Sequence, residues 1–136
     1  MTPFPLKIVT PDGLHFDGMA EEVIVRTTTG DIGILAGHIS CVAPLGMGRA
    51  TIVIDGKTRY AACIGGMVSV SASGVTLVPT IFEWAEEIDL DRANLAINKA
   101  KTVISDKNSD KTDIALAEAK LKRALIRQNV ASAKLR

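Results

Sequence analysis

The chain has 136 residues, of which 47% are hydrophobic and only 4% aromatic, so it can form one compact domain, or a small domain with an appendage, around an aliphatic core. Residues 1–88 hold five basic and nine acidic side chains (net −4) and residues 89–136 hold eleven basic and six acidic ones (net +5), which indicates an acidic partner for the second part, either nucleic acid or a protein surface. No apolar run approaches the ~18 residues of a membrane span, and no signal peptide is expected. Cys41 and Cys63 match no metal-ligand spacing, so we expect these two cysteines to be small buried hydrophobes in a reducing compartment.

The first 79 residues are predicted to be β-structure, because short alternating runs are separated by turn residues. Asp55-Gly56 and Ala72-Ser73-Gly74 lie between such runs and predict two hairpins. The predicted strands are residues 6–9, 14–18, 22–28, 48–54, 57–64, 67–71 and 75–79. This regular spacing of short strands indicates a β-sandwich or a barrel.

Residues 30–38, Gly-Asp-Ile-Gly-Ile-Leu-Ala-Gly-His, form an apolar run with three glycines. Glycine accepts a positive φ and lets another backbone come close. We therefore expect a strand holding Gly33 and a turn holding Gly37 to bring main chain against main chain, or against a partner. The alternative is a tight hairpin in an ordinary β-sandwich.

The hydrophobic period changes near Glu86, where helices are predicted to begin. Asp89 is a suitable N-cap for a helix that ends at about Asp106, with an apolar stripe at residues 90, 93, 97, 100 and 104. Residues 107–110 break the pattern, and a second helix is predicted from about Thr112, with its stripe at residues 114, 117, 121, 124 and 125. Gln128 occupies a position where that stripe should be apolar. A short connection between two helices predicts an antiparallel hairpin.

Two motifs resemble the ε subunits of the bacterial F-type ATP synthase. Residues 30–38 resemble the family run G-x-(I/L)-G-I-L-x-G-H, and residues 88–93, Ile-Asp-Leu-Asp-Arg-Ala, resemble its (I/L)-D-x-x-R-A motif. The layout of the whole chain resembles that family too. The resemblance implies an α+β fold in which an N-terminal ten-stranded β-sandwich, residues 1–84, is followed by a C-terminal antiparallel two-helix hairpin, residues 85–136.

The residues themselves predict no catalytic centre. His15 and His38 have no nucleophile motif beside them, and no glycine-rich run is followed by the lysine of a phosphate-binding loop. The resemblance implies a non-catalytic subunit of the central rotor stalk, which couples proton translocation to ATP synthesis and inhibits ATP hydrolysis through its helices. It also implies γ, the c-subunit ring, α and β as partners, no nucleic acid, and a peripheral location on the cytoplasmic face of the bacterial cell membrane.

Two sets of contact residues follow from this interpretation. The sandwich is expected to contact γ and the c ring through Asp31, Ile32, Gly33, His38, Met47 and Arg49. The second helix is expected to contact an acidic loop of the β subunits through Lys120, Lys122, Arg123 and Arg127, in a basic run that Lys134 and Arg136 extend. The alternative for the basic run is a solvated helix face, although its alanine-rich stripe would hold the helix only lightly.

Some bacterial ε subunits bind ATP, and the resemblance implies ATP, with or without Mg²⁺, as a regulatory ligand of this chain. We expect no required cofactor and no metal site. The candidate ATP-binding residues are Glu83, Ile88, Asp89, Arg92, Ala93, Lys99, Arg123 and Arg127. Lys99 stands where the ATP-binding members carry arginine, so affinity should be lower. The alternative is that Asp89 only caps the helix and Arg92 is only solvated. A second function class is a free-standing nucleotide-responsive or nucleic-acid-binding module, although the basic helix lacks aromatic residues for base stacking.

Overall fold

The computed structural model describes residues 1–133 and divides the chain into two compact units, Met1–Trp84 and Ala85–Arg136. The first unit contains ten strands, and the second contains a 3₁₀ turn, Ala85–Glu87, and two helices. The strands are β1 Phe4–Thr10, β2 Gly13–Ala20, β3 Glu22–Thr27, β4 Gly30–Ile34, β5 Cys41–Pro44, β6 Met47–Ile54, β7 Lys57–Ile64, β8 Met67–Ser71, β9 Gly74–Val78 and β10 Ile81–Trp84. The predicted fold, a ten-stranded sandwich followed by a helical hairpin, is confirmed.

The ten strands form two five-stranded sheets. The first has the order β2-β1-β9-β8-β5 and the second the order β10-β7-β6-β3-β4. Strand β1 runs parallel to β9, and the other neighbouring strands are antiparallel. Strands β4 and β5 are edge strands of different sheets, so the run 30–38 leads from one sheet edge towards the other.

The core of the sandwich lies between the two inner faces. Alternate residues of each strand point inward, and Leu6, Ile8, Val23, Val25 and Leu77 are almost completely buried. The β6–β7 turn has positive φ at both Asp55 (51°) and Gly56 (74°), as a type I′ hairpin requires. The side chain of Glu21 accepts a hydrogen bond from the Gly56 N–H (2.6 Å) and ties this turn to the start of β3.

Aromatic side chains close one end of this core. The Trp84 ring packs edge-on against Phe82 (centroids 5.0 Å apart) and Phe16 (6.3 Å), and its Nε1–H donates to the His15 carbonyl. The Arg59 guanidinium lies 3.7 Å from the centroid of the Trp84 ring. Trp84 therefore belongs to the sandwich core, in a strand, β10, that the sequence pattern does not predict.

The helices of the second unit are α1, Leu90–Ser105, and α2, Lys111–Ala133. As predicted, Asp89 caps α1, because its Oδ1 accepts a hydrogen bond from the Arg92 N–H (3.1 Å). Asp110 Oδ1 does the same for α2, accepting from the Asp113 N–H (2.8 Å), so α2 begins one residue earlier than expected. Neither described helix is long and apolar enough to cross a membrane.

The contact face of α2 differs from the predicted stripe. Ala117 and Ala124 are buried as expected, but Leu125 is 42% exposed. Gln128, which interrupts the stripe, is half-buried and donates a hydrogen bond from its Nε2 to Asn94 Oδ1 of α1 (2.8 Å). The prediction for Leu125 is wrong because the contact face of α2 follows Ala117, Ala124 and Ala131, and Leu125 lies about 100° around the helix from Ala124.

Candidate functional site

The outward face of the β3–β4 pair carries a cluster of charged side chains. Arg26 Nε donates to Asp31 Oδ1 at 2.8 Å, across directly paired residues of the two strands. The hydrogen bond from Arg26 lowers the pKa of the Asp31 carboxyl; partial desolvation opposes this, and the charges of Arg26 and Arg49 lower it further. Arg49 itself lies 4.8 Å from the centroid of the Tyr60 ring. The outward face of this sheet edge therefore carries an ionised carboxylate on β4 paired with Arg26 on β3, and Arg49 lies on the next strand, β6.

Two glycines make room for Arg26. A Cβ added to Gly48 would lie 3.0 Å from Arg26 Cβ, and one added to Gly46 would lie 3.0 Å from the Thr27 carbonyl oxygen. The Gly46 N–H also donates to the Arg26 carbonyl (2.9 Å). This packing gives the Gly-Met-Gly run that leads into β6 a structural role. Arg26 is absent from the contact residues expected from sequence, and the two glycines are the signal that could have found it.

The structure separates the residues expected to contact γ and the c ring. Asp31 and Gly33 alternate with Ile32 along β4, so Ile32 points inward and packs against the sandwich core. Met47 and Arg49 share the outward face of β6 by the same alternation. Gly33 is exposed, and a Cβ built there would meet nothing within 4 Å. The close backbone approach expected at Gly33 is therefore not made within the described residues.

His38 lies in the connection between β4 and β5. Its backbone N–H donates to the Leu35 carbonyl (3.1 Å) and its Nδ1–H to the Ile39 carbonyl (2.7 Å). Gly37 has a φ of 82°, as the expected turn requires. His38 lines a surface cavity of about 270 Å³, together with residues such as Phe4 and Val75. His38 is thus part of a different surface feature from the Arg26–Asp31 pair.

The basic residues of α2 fall on two faces. Lys120, Arg123 and Arg127 follow each other at spacings of three and four residues and share one face of the helix. Lys122 is two residues from Lys120 and one residue from Arg123, and residues at these spacings do not face each other on a helix, so Lys122 projects from another face. Lys134 and Arg136 lie outside the described residues. The expected β-subunit contact set is therefore a three-residue face and a separate lysine.

The Asn94–Gln128 hydrogen bond shows which residues of the antiparallel helices lie at the same height. Counting from that pair at about 1.5 Å per residue, Arg92 lies within ~5 Å of the height of Arg127, and Lys99 is level with Arg123. The two pairs are ~8 Å apart along the hairpin. The candidate cations therefore lie in two pairs along the hairpin, each with one member from α1 and one from α2, and the convergence of Arg92, Arg123 and Arg127 stays a prediction.

The remaining candidate ATP-binding residues have structural roles of their own. Asp89 is the N-cap of α1, as described above, while Ile88 and Ala93 are buried. Glu83 lies on β10, opposite Ala62 of β7. Residues 1–133 contain no group of three or more histidine, cysteine or acidic side chains that could hold a metal ion.

The two cysteines differ in their surroundings. Cys63 is buried, as expected, and burial raises the pKa of its thiol to about 12. Cys41 is only half-buried, at the edge strand β5, where it packs against the core. The expectation of two buried thiols holds for Cys63 alone, because an edge strand leaves one side of Cys41 uncovered.

Both units of the chain are similar to domains of known proteins. The β-sandwich domain of the ATP synthase delta/epsilon chain matches residues 3–85, and the long α-helix domain of that chain matches residues 86–132. The ATP synthase epsilon chain of Bacillus velezensis is 44% identical over 96% of this chain and 98% of its own length. The epsilon chain of Caldanaerobacter subterraneus is 43% identical over 95% and 94%, respectively.

Solved structures agree on the fold. One similar chain belongs to the mitochondrial ATP synthase of Euglena gracilis, solved as an OSCP/F1/c-ring assembly. The match spans 100% of the present chain and 83% of the Euglena chain, with a TM-score of 0.80 at 23% sequence identity. A chain from the central stalk and c ring of the Tetrahymena thermophila enzyme has a TM-score of 0.61 at 13% identity and covers 94% of this chain and 96% of its own. At these identities the similarity is one of fold.

Proposed function

The chain belongs to the family of ATP synthase epsilon chains, which are non-catalytic subunits of that enzyme, and we propose that it acts in the rotor as a bridge and as a brake. The sandwich binds γ and the c ring and so helps to couple proton translocation to ATP synthesis. The observation that carries this proposal is the similarity over both units to whole epsilon chains. In the cell the protein is then peripheral, attached through the complex to the cytoplasmic face of the membrane.

The charged edge of the second sheet supports the bridging part of the proposal. Asp31, Gly33 and Arg49 face outward, and Gly33 leaves open space for a partner's backbone. Ile32 contributes instead from inside, by holding β4 on the core. His38 offers a separate contact beside its cavity. Of the six expected residues, we therefore assign direct contacts to all except Ile32.

The hairpin is proposed to be the brake on ATP hydrolysis. Its seam consists largely of alanines, and each buried methyl group contributes only ~0.8 kcal/mol, so the helices are held lightly. When they leave that arrangement, the face formed by Lys120, Arg123 and Arg127 can meet the acidic loop of a β subunit. Lys122, on a different face, plays at most a minor part.

ATP is proposed as a regulatory ligand that stabilises the closed hairpin. Arg92 and Arg127 lie within ~5 Å of each other in height, and Lys99 and Arg123 share a height ~8 Å further along the hairpin. This spacing could follow a phosphate chain, and guanidinium groups suit phosphate oxygens. Asp89 caps α1 in the closed state, and Glu83 is a candidate to accept a bond from the adenine amine or the ribose. Mg²⁺, if it takes part, enters with the nucleotide.

Purification from the source organism tests the proposed partners. A tagged full-length chain is expected to recover α, β and γ, and to recover them equally after nuclease treatment. Gly33→Trp tests the edge itself, because the side chain enters open space and should weaken assembly without disturbing the fold. Recovery of nucleic acid without these subunits would instead support a free-standing nucleic-acid-binding module and contradict the proposal.

A further inference from the structure

Asn94 and Gln128 form a polar contact in the seam of the hairpin, and packing does not explain its role. Gln128 Nε2 donates to Asn94 Oδ1 at 2.8 Å, and both side chains are half-buried between α1 and α2. A pair of amides in this position contributes less apolar burial than a pair of leucines would.

The alanines of the seam repeat with the same period on both helices. Ala93 and Ala100 of α1 are seven residues apart, and Ala117, Ala124 and Ala131 of α2 follow each other at the same spacing, all of them buried. A slide of one helix along the other by seven residues, ~10 Å, would place alanine against alanine again. In the observed register Lys111 lies ~9 Å beyond the height of Ser105, and the connection 106–110 spans ~17 Å when extended. It therefore permits the slide that brings Lys111 back towards Ser105 and excludes the opposite slide, which would need ~20 Å.

The amide pair distinguishes these arrangements. The permitted seven-residue slide would put Asn94 opposite Leu121. It leaves the partly buried amides of Asn94 and Gln128 without each other, which disfavours the shifted arrangement by about tenfold or more. A single polar pair is known to fix the register of coiled coils in this way.

We propose that Asn94 and Gln128 are positioning residues that select the register in which the hairpin closes. The same register sets Lys99 level with Arg123 and places Arg92 within ~5 Å of the height of Arg127. Its regulatory meaning rests on the proposed function, because a hairpin that opens to act as a brake must close again in one arrangement to bind ATP.

Isosteric substitutions in the full-length chain test the hydrogen bond without creating a cavity. Asn94→Asp keeps an acceptor opposite Gln128, and Gln128→Glu keeps an acceptor opposite an Asn94 amide that can turn to donate. The double variant places two carboxylates opposite each other and removes the donor. The matched control is Asn98→Asp with Asn129→Asp, which adds the same two charges at exposed positions of the same helices.

Hydrogen exchange of the backbone amides, measured without nucleotide, is the first readout. We expect both single variants and the control to exchange like the unmodified chain, and the double variant to exchange about tenfold faster in α1 and α2 while the strands stay unchanged. If the double variant exchanges no faster than the control, the proposal is wrong. Faster exchange in both single variants equal to that of the double variant would also overturn it, since shape rather than hydrogen bonding would then matter.

The distance between spin labels at positions 95 and 125 is the second readout, in a Cys41→Ser, Cys63→Ala background. Both positions are exposed, and in the closed register they differ in height by only ~3 Å. The double Asp/Glu variant is expected to show an added population of longer distances, and a single unchanged population would contradict the proposal. Addition of ATP then tests the nucleotide site separately: a lack of protection in the unmodified chain would refute that site and leave the register result standing.

Discussion

Arg26 and Asp31 face each other across β3 and β4, with Nε and Oδ1 2.8 Å apart, and both side chains are more than half exposed. An exposed ion pair contributes little to the stability of the fold. Its effect is on the charge that the sheet edge presents, because the pair lowers the pKa of Asp31 and holds its carboxylate beside Arg26. This relationship underlies our interpretation of the edge as a contact surface.

Arg26→Gln is expected to raise the pKa of Asp31 towards that of an ordinary aspartate, since the hydrogen bond that lowers it is lost. In the unmodified protein the pair's contribution to stability is present above the pKa of an unfolded aspartate, and it is lost as pH falls through the depressed pKa. An NMR titration of the Asp31 carboxyl measures the change. Arg49→Gln should shift the same pKa in the same direction by less, and an unmoved pKa in Arg26→Gln would contradict the assignment.

Gly46→Ala and Gly48→Ala are each expected to lower the free energy of unfolding by about 1–3 kcal/mol, because the new methyl group meets the backbone of Thr27 or the side chain of Arg26. Gly33→Ala is the matched control, in which the methyl group enters open space on β4. Denaturant unfolding followed by Trp84 fluorescence gives all three values. Equal stability of the three variants would show that the two glycines are not needed to seat Arg26.

Most of this fold can be predicted from the sequence because many strands, turns and helix ends are determined by residues that are neighbours in the chain. Alternation and the Asp55-Gly56 turn are sufficient for β6 and β7, and Asp89 is sufficient for the start of α1. Strand β10 is too short to show a period of its own, and it forms because it pairs with β7. The exposure of Leu125 could not be predicted either, since it depends on which face of α2 packs against α1, and the buried face follows Ala117, Ala124 and Ala131.

The candidate contact surface is less predictable than the fold. Residue type and motif point to β4, but the inward direction of Ile32 follows from its pairing with Val25, and the part played by Arg26 follows from two glycines on another strand. The helix period alone separates Lys122 from Lys120 and Arg123. The heights of the cations on the hairpin require the register of two helices, which a single sequence does not encode locally.

Lys120→Ala is expected to raise the rate of ATP hydrolysis by the assembled enzyme about twofold, because it removes one charge from the face proposed to meet the β subunit while keeping helix propensity. The triple variant with Arg123→Ala and Arg127→Ala should raise it about tenfold and weaken its salt dependence. Lys122→Ala is the control for an equal charge change on another face. If Lys120→Ala and Lys122→Ala have the same effect, the brake does not depend on that face.

ATP at millimolar concentration is expected to raise the melting temperature of the helices in the isolated chain, by mass action on the closed hairpin. Arg92→Ala and Arg123→Ala should each reduce the shift, whereas Lys99→Arg should increase it because a guanidinium can bind two phosphate oxygens. Circular dichroism at 222 nm follows the transition, and Lys101→Arg serves as the control on the same helix. Equal shifts in all variants would exclude these residues from the site.

The central claim is that the sandwich bridges the rotor while the hairpin acts as the brake, and one comparison tests both. The α, β and γ subunits are reconstituted with the full-length chain or with residues 1–84, and both γ binding and ATP hydrolysis are measured. We expect equal binding by the two chains, with hydrolysis slowed only by the full-length chain. A fragment that folds but fails to bind γ, or one that slows hydrolysis as much as the full-length chain does, would contradict the claim.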